Sequence, residues 1–166
     1  MGRWCCQLTI GPRLVDDHRR QRRAARVVLI DPHCRALLVE VCNPDNGELT
    51  WMTVGGGIED GENPADAAAR EVLEETGHDG LRLDRVVREH WVDFSWHGIA
   101  YRQHEQWFIA AVEAFEATGR FRDEYERSEI RQVRWWTIDE LRASTVLFSP
   151  ADLPQFLIAT LTNRAD

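Results

Sequence analysis

The sequence predicts an α/β domain built on a mixed β-sheet. Two observations predict it. β-Branched apolar runs that read as strands recur from residue 24 to residue 137. The helical patterns among them do not alternate one for one with the strands, as a purely parallel sheet would require. A chain of 166 residues, 43% of them apolar, is long enough to bury one core as a single domain.

The elements follow in order. Residues 24–30 (AARVVLI) form a β-branched run ended by the turn signal Asp31-Pro32. Residues 36–41 (ALLVEV) are a second strand, and DPHCR closes the two as a hairpin. NPDNG, 43–47, is a loop. Residues 49–54 are a short strand running into Gly55-Gly56-Gly57. The strongest helix comes next. Asn63 can cap it, Pro64 suits its first position, and Gly77 sits just past its end. Ala65, Ala68, Ala69, Val72 and Leu73 supply its buried stripe, and their small size implies close packing on the sheet. Further strands are expected over 81–94, with a bend, over 106–112 and over 133–137, the stretch 113–128 being a polar connection. Thr137 opens a capping box for a helix at 138–143, and a last apolar helix runs over 154–161.

Composition narrows the function. The formal net charge is −8. Residues 1–30 are basic and the rest of the chain is acidic, which argues against a stable nucleic-acid partner. The cluster HRRQRRAAR, 18–26, reads as a solvated arm, with contact to a phosphate backbone as the alternative, and residues 1–20 are set apart from a single domain at 21–166. All 20 basic residues are Arg, which excludes Schiff-base lysines and a P-loop lysine and leaves phosphate binding to Arg, backbone N–H groups or metal. The four cysteines form no CxxC pair and are expected to be reduced thiols of a cytoplasmic protein, Cys34 and Cys42 having a structural role. No apolar run reaches the roughly 18 residues of a membrane span, and the N-terminus lacks the pattern of a signal peptide.

The stretch GGGIEDGENPADAAAREVLEETGH, 55–78, carries the chemistry. Glu71, Glu74 and Glu75 fall within one helical turn, about 5–6 Å apart at Cβ. They lie toward the helix C-terminus, where partial negative charge makes carboxylates unfavourable. Arg70 can offset only part of this. A divalent cation such as Mg²⁺ takes such a carboxylate set and keeps waters for substrate phosphates. A solvated acidic helix face is the bland alternative. The triple glycine before the helix, which lets backbone approach a ligand closely, weighs against it.

These residues resemble the Nudix box, G-x5-E-x7-R-E-U-x-E-E-x-G-U with U a bulky aliphatic residue. Gly56, Glu62, Arg70, Glu71, Val72, Glu74, Glu75 and Gly77 match it, and His78 replaces the final aliphatic residue. The similarity extends from about Arg23 to the end of the chain, through Gln103-His104-Glu105 and VRWWTIDEL. The resemblance implies a Nudix fold, an α/β/α sandwich around a mixed sheet. It also implies Mg²⁺- or Mn²⁺-dependent hydrolysis of a nucleoside diphosphate linked to another group. By position, it makes Glu71, Glu74 and Glu75 metal ligands, with the Gly55 carbonyl joining them. Glu71 binds the metal or helps to activate water, Arg70 orients the glutamates, and Glu62 holds the loop or assists the metal. A further glutamate from a later loop is common in the family. Glu126 is the first candidate for it, ahead of Glu129, with Glu124 behind; Glu105 is a weaker candidate, there or in substrate binding, since a strand-edge ion pair also explains it. Family members are often homodimers, although no interface is legible here.

Of the seven tryptophans, Trp51, Trp107 and Trp135 sit in strand contexts and read as core, whereas Trp91 and Trp96 can reach a nucleobase. The marks of the ADP-ribose, NADH, dinucleoside polyphosphate and coenzyme A subclasses are absent; the window 92–97, VDFSWH, has neither Pro nor Tyr. The substrate therefore stays open among nucleoside triphosphates, ADP-ribose or other nucleotide sugars, and dinucleotides. The same fold sensing a nucleotide without turnover is the alternative function.

Overall fold

The computed structural model describes residues 18–117 and 129–165. Strands β1 (Arg20–Ile30), β2 (Ala36–Cys42) and β3 (Leu49–Gly57) precede helix α1 (Pro64–Thr76). Strands β4 (Arg88–Trp96), β5 (Ile99–Ala111) and β6 (Ile130–Trp136) follow. Helix α2 (Ile138–Ala143), the two-residue β7 (Leu147–Phe148) and α3 (Leu153–Ala165) complete the order. The strands form one sheet in the order β4-β5-β1-β2-β3-β7, with β6 on β2 and β1 also pairing β3. The β1–β5 and β3–β7 pairs are parallel and the others antiparallel, so the sheet is mixed as expected.

Strand alternation explains why VVLI is a continuous apolar run. Val27 and Leu29 join Leu37, Val39 and Val54 in a core with Ala67, Ala68 and Val72 of α1. Val28 and Ile30 join Leu38, Trp51, Trp107 and Trp136 in a second core with Leu141 of α2 and Leu153, Leu157 and Leu161 of α3. Successive side chains point to opposite faces, and helices cover both faces, so both parities are apolar. Trp51 and Trp136 meet edge to face at 5.0 Å.

The α1 caps form as the sequence suggests. Asn63 accepts from the Ala65 N–H at 2.9 Å, and Gly77, at φ 76°, donates to Leu73 O. The buried stripe is rotated from the expected one, consisting of Ala67, Ala68, Val72 and Thr76, with Ala69 and Leu73 only half-buried. The helix turns its glutamates toward a cavity, and that choice sets which residues meet the sheet. The α2 capping box between Thr137 and Glu140 is present.

Two expectations are corrected. The arginine cluster is no arm: Arg20 to Arg26 lie in β1, which pairs in parallel with β5 from Arg20↔Tyr101 to Ile30↔Ala111. A basic run forms a strand here because successive residues point to opposite sides of the sheet, Arg22 and Arg26 to the cavity and Arg23 to Gln106 on the other side. The strand expected over 81–94 begins only at Arg88, where pairing with β5 starts. Among the described residues, no helix is long and apolar enough to cross a membrane.

The β1–β2 turn is held by Asp31. Its carboxylate accepts from the His33 N–H at 3.0 Å, the Arg35 N–H at 2.9 Å and Arg35 Nε at 2.8 Å. Burial pushes this carboxyl up, but the Arg35 hydrogen bonds outweigh burial and hold it below its ordinary value. The folded state therefore favours the ionised form. The turn's contribution to stability is complete above about pH 5, beyond the unfolded carboxyl's pKa, and is lost as pH falls through the depressed folded value. Asp31→Asn is expected to lower stability at neutral pH and to narrow the gap to wild type in acid, read from urea unfolding at a series of pH values. A gap that widens in acid would contradict this.

Candidate active site

A cavity of about 840 Å³ opens beside α1, bounded by the triple glycine of β3 and by side chains of β1, β4 and β5. Its size suits a nucleotide. One wall is the Arg70 network. Arg70 Nε and Nη2 grip Glu62 at 2.9 and 3.1 Å, while Nη2 also donates to Gly57 O at 2.9 Å. Arg70 Nη1 reaches Glu71 at 2.6 Å and Glu74 at 3.2 Å. Glu62 also accepts from the Glu59 N–H at 2.9 Å, closing the loop onto itself. One guanidinium thus ties the glycine turn, the loop and two helix carboxylates together. Its neighbours Glu62 and Glu71 favour its charged form, raising its pKa against the effect of burial.

The glutamates do not form a solvated face. The Glu71 and Glu74 side chains are only 15% and 18% exposed. Burial raises the Glu71 carboxyl, Arg70 opposes the shift, and the negative charge of Glu74 adds to it. Glu75 accepts from the Gly55 N–H at 3.0 Å. A β-carbon on Gly56 would lie 2.6 Å from the Glu71 carboxyl carbon, so Glu71 keeps this position only against a glycine.

These oxygens fit a hard divalent cation in chemistry, since carboxylates and a carbonyl are what Mg²⁺ and Mn²⁺ prefer. They are not pre-gathered: among the described residues, no three His, Cys, Asp or Glu side chains stand together as a metal cluster. Arg70 engages Glu71 and Glu74, so a cation would have to draw these carboxylates away from it. The Gly55 carbonyl accepts from Arg26 Nη1 at 2.6 Å.

Arg26 belongs to a second network: the ion pair that the sequence offered for Glu105 is present, with Arg26 as its partner. Its Nε donates to Glu105 at 3.0 Å, and Glu105 also accepts from Gln103 Nε2 at 2.8 Å and Trp107 Nε1 at 3.1 Å. Burial pushes the Glu105 carboxyl up, but Arg26 and these donors hold it below its usual value. Glu105 therefore sits inside the sheet, on β5 between β4 and β1, as half of a buried ion pair. Glu105→Ala would leave the Arg26 charge buried and unpaired, at an expected cost of about 3–5 kcal/mol. Urea unfolding measures it, and a cost below about 1 kcal/mol would show that Arg26 finds water instead. An arginine inside the apolar run RAARVVLI was the sequence signal for this network.

The other candidates separate. Trp96 lines the cavity with Val92 and Phe94. Trp91, one residue out of that parity on β4, is 52% exposed and packs on His104 at 4.7 Å, away from the cavity. Glu129 lines the cavity and shares a 2.8 Å hydrogen bond with His97 Nε2. Glu124 and Glu126 lie outside the described residues. His78 stacks on Phe115 at 4.6 Å, so an aromatic ring fills the place of the aliphatic residue.

Comparison with known proteins agrees with this geometry. A family model, the NUDIX domain, matches residues 20–155. An RNA pyrophosphohydrolase of Bartonella clarridgeiae is 30% identical over 130 residues, covering 69% of this chain and 71% of that protein. The MutT protein of Methanosarcina mazei Go1 superposes with a TM-score of 0.64 at 17% identity, over 89% of this chain and 97% of that one. The dihydroneopterin triphosphate pyrophosphohydrolase of E. coli gives 0.60 at 22% identity, over 82% and 95%. The structural likenesses establish the fold, and the match over residues 20–155, which contains the whole Arg70 network, places this chain in the Nudix hydrolase family.

Proposed function

We propose that this chain uses Mg²⁺ or Mn²⁺ to hydrolyse the phosphoanhydride bond of a nucleoside diphosphate linked to another group. The substrate is a nucleoside triphosphate, ADP-ribose or another nucleotide sugar, or a dinucleotide. The observation that carries this reading is the single guanidinium of Arg70 joining Glu62, Glu71, Glu74 and the Gly57 carbonyl along one wall of a nucleotide-sized cavity.

Glu71, Glu74 and Glu75 would hold the cation, with the Gly55 carbonyl joining if Arg26 yields it. When bound, a divalent cation neutralises diphosphate charge and lowers the pKa of a bound water. Glu71 would take the proton of the attacking water. Arg70 keeps Glu71 and Glu74 aimed, and Glu62 keeps Arg70 in place. The water oxygen joins one phosphorus, and the bridging oxygen leaves with the other phosphate. Trp96 offers an aromatic face for the base on the β4 side. The half-buried free thiols of Cys34 and Cys42 suit a reducing, cytoplasmic setting, and residues 21–166 act as one domain.

The relatives named RNA pyrophosphohydrolase favour a second substrate, an RNA that carries a phosphoanhydride at its end. The net charge of −8 argues that such an RNA would be held by its terminal phosphates rather than along its backbone. The test is a panel of nucleoside triphosphates, ADP-ribose, a dinucleoside polyphosphate and 5′-triphosphorylated RNA, with Mg²⁺ or Mn²⁺, read by release of phosphate or pyrophosphate. Turnover of at least one substrate is expected. Binding without turnover would make the chain a nucleotide-sensing domain, and neither would sink both readings.

A further inference from the structure

Among the described residues, three arginines line the cavity: Arg22, Arg26 and Arg70. The bonds of two are taken up by the protein. Arg70 spends all three guanidinium nitrogens on Glu62, Glu71, Glu74 and Gly57. Arg26 is held between Glu105 and the Gly55 carbonyl. Arg22 differs. Its Nε is buried without a hydrogen-bond partner among the described residues. Its guanidinium lies 5.9 Å from the Phe94 ring centre and 5.5 Å from that of Tyr101, two rings stacked on each other at 5.3 Å. Its Nη2 is the nearest atom to where a β-carbon on Gly57 would stand, at 3.7 Å, so the bare glycine leaves that end of the guanidinium uncovered.

Cation–π contact fixes the plane of a guanidinium without using its N–H donors. A buried donor left unmade is costly, and an anion can satisfy it. Burial, then the positive charge of Arg26, disfavour the charged form of Arg22, and a phosphate would offset both. The chain has no lysine to serve instead.

We propose that Arg22 is the phosphate clamp of this site, donating from β1, beside Gly57, to a phosphate of the bound nucleotide. The proposal rests on the nucleotide reading of the cavity but not on turnover. Arginine suits the role because its planar fork meets phosphate oxygens in pairs, and lysine in its place is a point charge.

The experiment is equilibrium binding of ADP and of adenosine, followed by tryptophan fluorescence and by calorimetry, with Mg²⁺ present, for wild type, Arg22→Met and Arg22→Lys. Met keeps an apolar stem over Phe94 and Tyr101, and Lys keeps the charge. Arg22→Met is expected to weaken ADP at least tenfold and adenosine less than twofold, with Arg22→Lys in between for ADP. Unchanged ADP affinity in Arg22→Met overturns the proposal. So does an equal loss for ADP and adenosine, which would make Arg22 a support for the base site alone, and so does a wild type that binds no ADP. A wild type that binds ADP but hydrolyses nothing defeats the hydrolase reading and leaves Arg22 to be judged by these affinities. If Arg22→Met does not fold, Arg22→Lys decides: ADP affinity equal to wild type overturns the proposal.

Discussion

Glu75→Gln is expected to lower kcat/KM by roughly 10²–10³-fold, the scale on which a lost electrostatic contact to the reacting groups is felt. Its melting temperature is expected to stay at or slightly above that of wild type. The two readouts separate because Gln keeps an acceptor for the Gly55 N–H, which Glu75 holds at 3.0 Å, while removing the charge. The last turn of α1 carries no basic residue of its own, Arg70 reaching Glu74 from one turn back. Carboxylates at a helix C-terminus oppose the helix dipole and repel their i+4 and i+3 neighbours, so losing one costs the fold little. Steady-state kinetics with a substrate from the panel and a thermal melt decide it. A variant that melts several degrees lower yet keeps full kcat would assign Glu75 to the fold instead.

Gly55→Ala is expected to lower stability by about 3 kcal/mol or more. Its φ of 134° lies where side chains are strained. The added β-carbon would also stand 2.2 Å from Ala25 O and 2.9 Å from Arg26 Cα. Both are backbone atoms of β1, paired with β3 in the register Arg26↔Gly55, so neither can rotate away. Two neighbouring substitutions serve as comparisons. At Gly56 the new carbon would meet the Glu71 carboxyl, a side-chain end that can move, so Gly56→Ala is expected to fold and to lose activity. Gly61, at φ 79°, has open space around its Cβ position, and Gly61→Ala carries only backbone strain of about 1–2 kcal/mol. Urea unfolding of the three gives the order. Gly55→Ala as stable as Gly61→Ala would mean that β1 and β3 do not approach as closely as described.

Features within one element were legible in the chain. The caps of α1 at Asn63 and Gly77, the Thr137 capping box and the hairpin turn at Asp31 each depend on residues a few positions apart, so local chemistry suffices. The spacing of Glu62, Arg70, Glu71, Glu74 and Glu75 likewise identified the family, because a loop and one helix hold all of them.

What stayed hidden depends on pairing between distant strands. Strand parity put Trp96 in the cavity and Trp91 outside it, yet both stood equal as sequence candidates. The basic run at 18–26 looked solvated because its charge was visible and its partner strand, some 80 residues away, was not. The parallel register with β5 brings Arg26 to Glu105, and the antiparallel register with β3 brings it to Gly55. By itself, then, the sequence determined the family, the capped helix and the glutamates it displays, because these are short-range properties of spacing. Only the tertiary structure decided which arginines the protein uses up and which one lines the cavity with its Nε unpartnered among the described residues, because a buried charge is placed by partners that come from other strands.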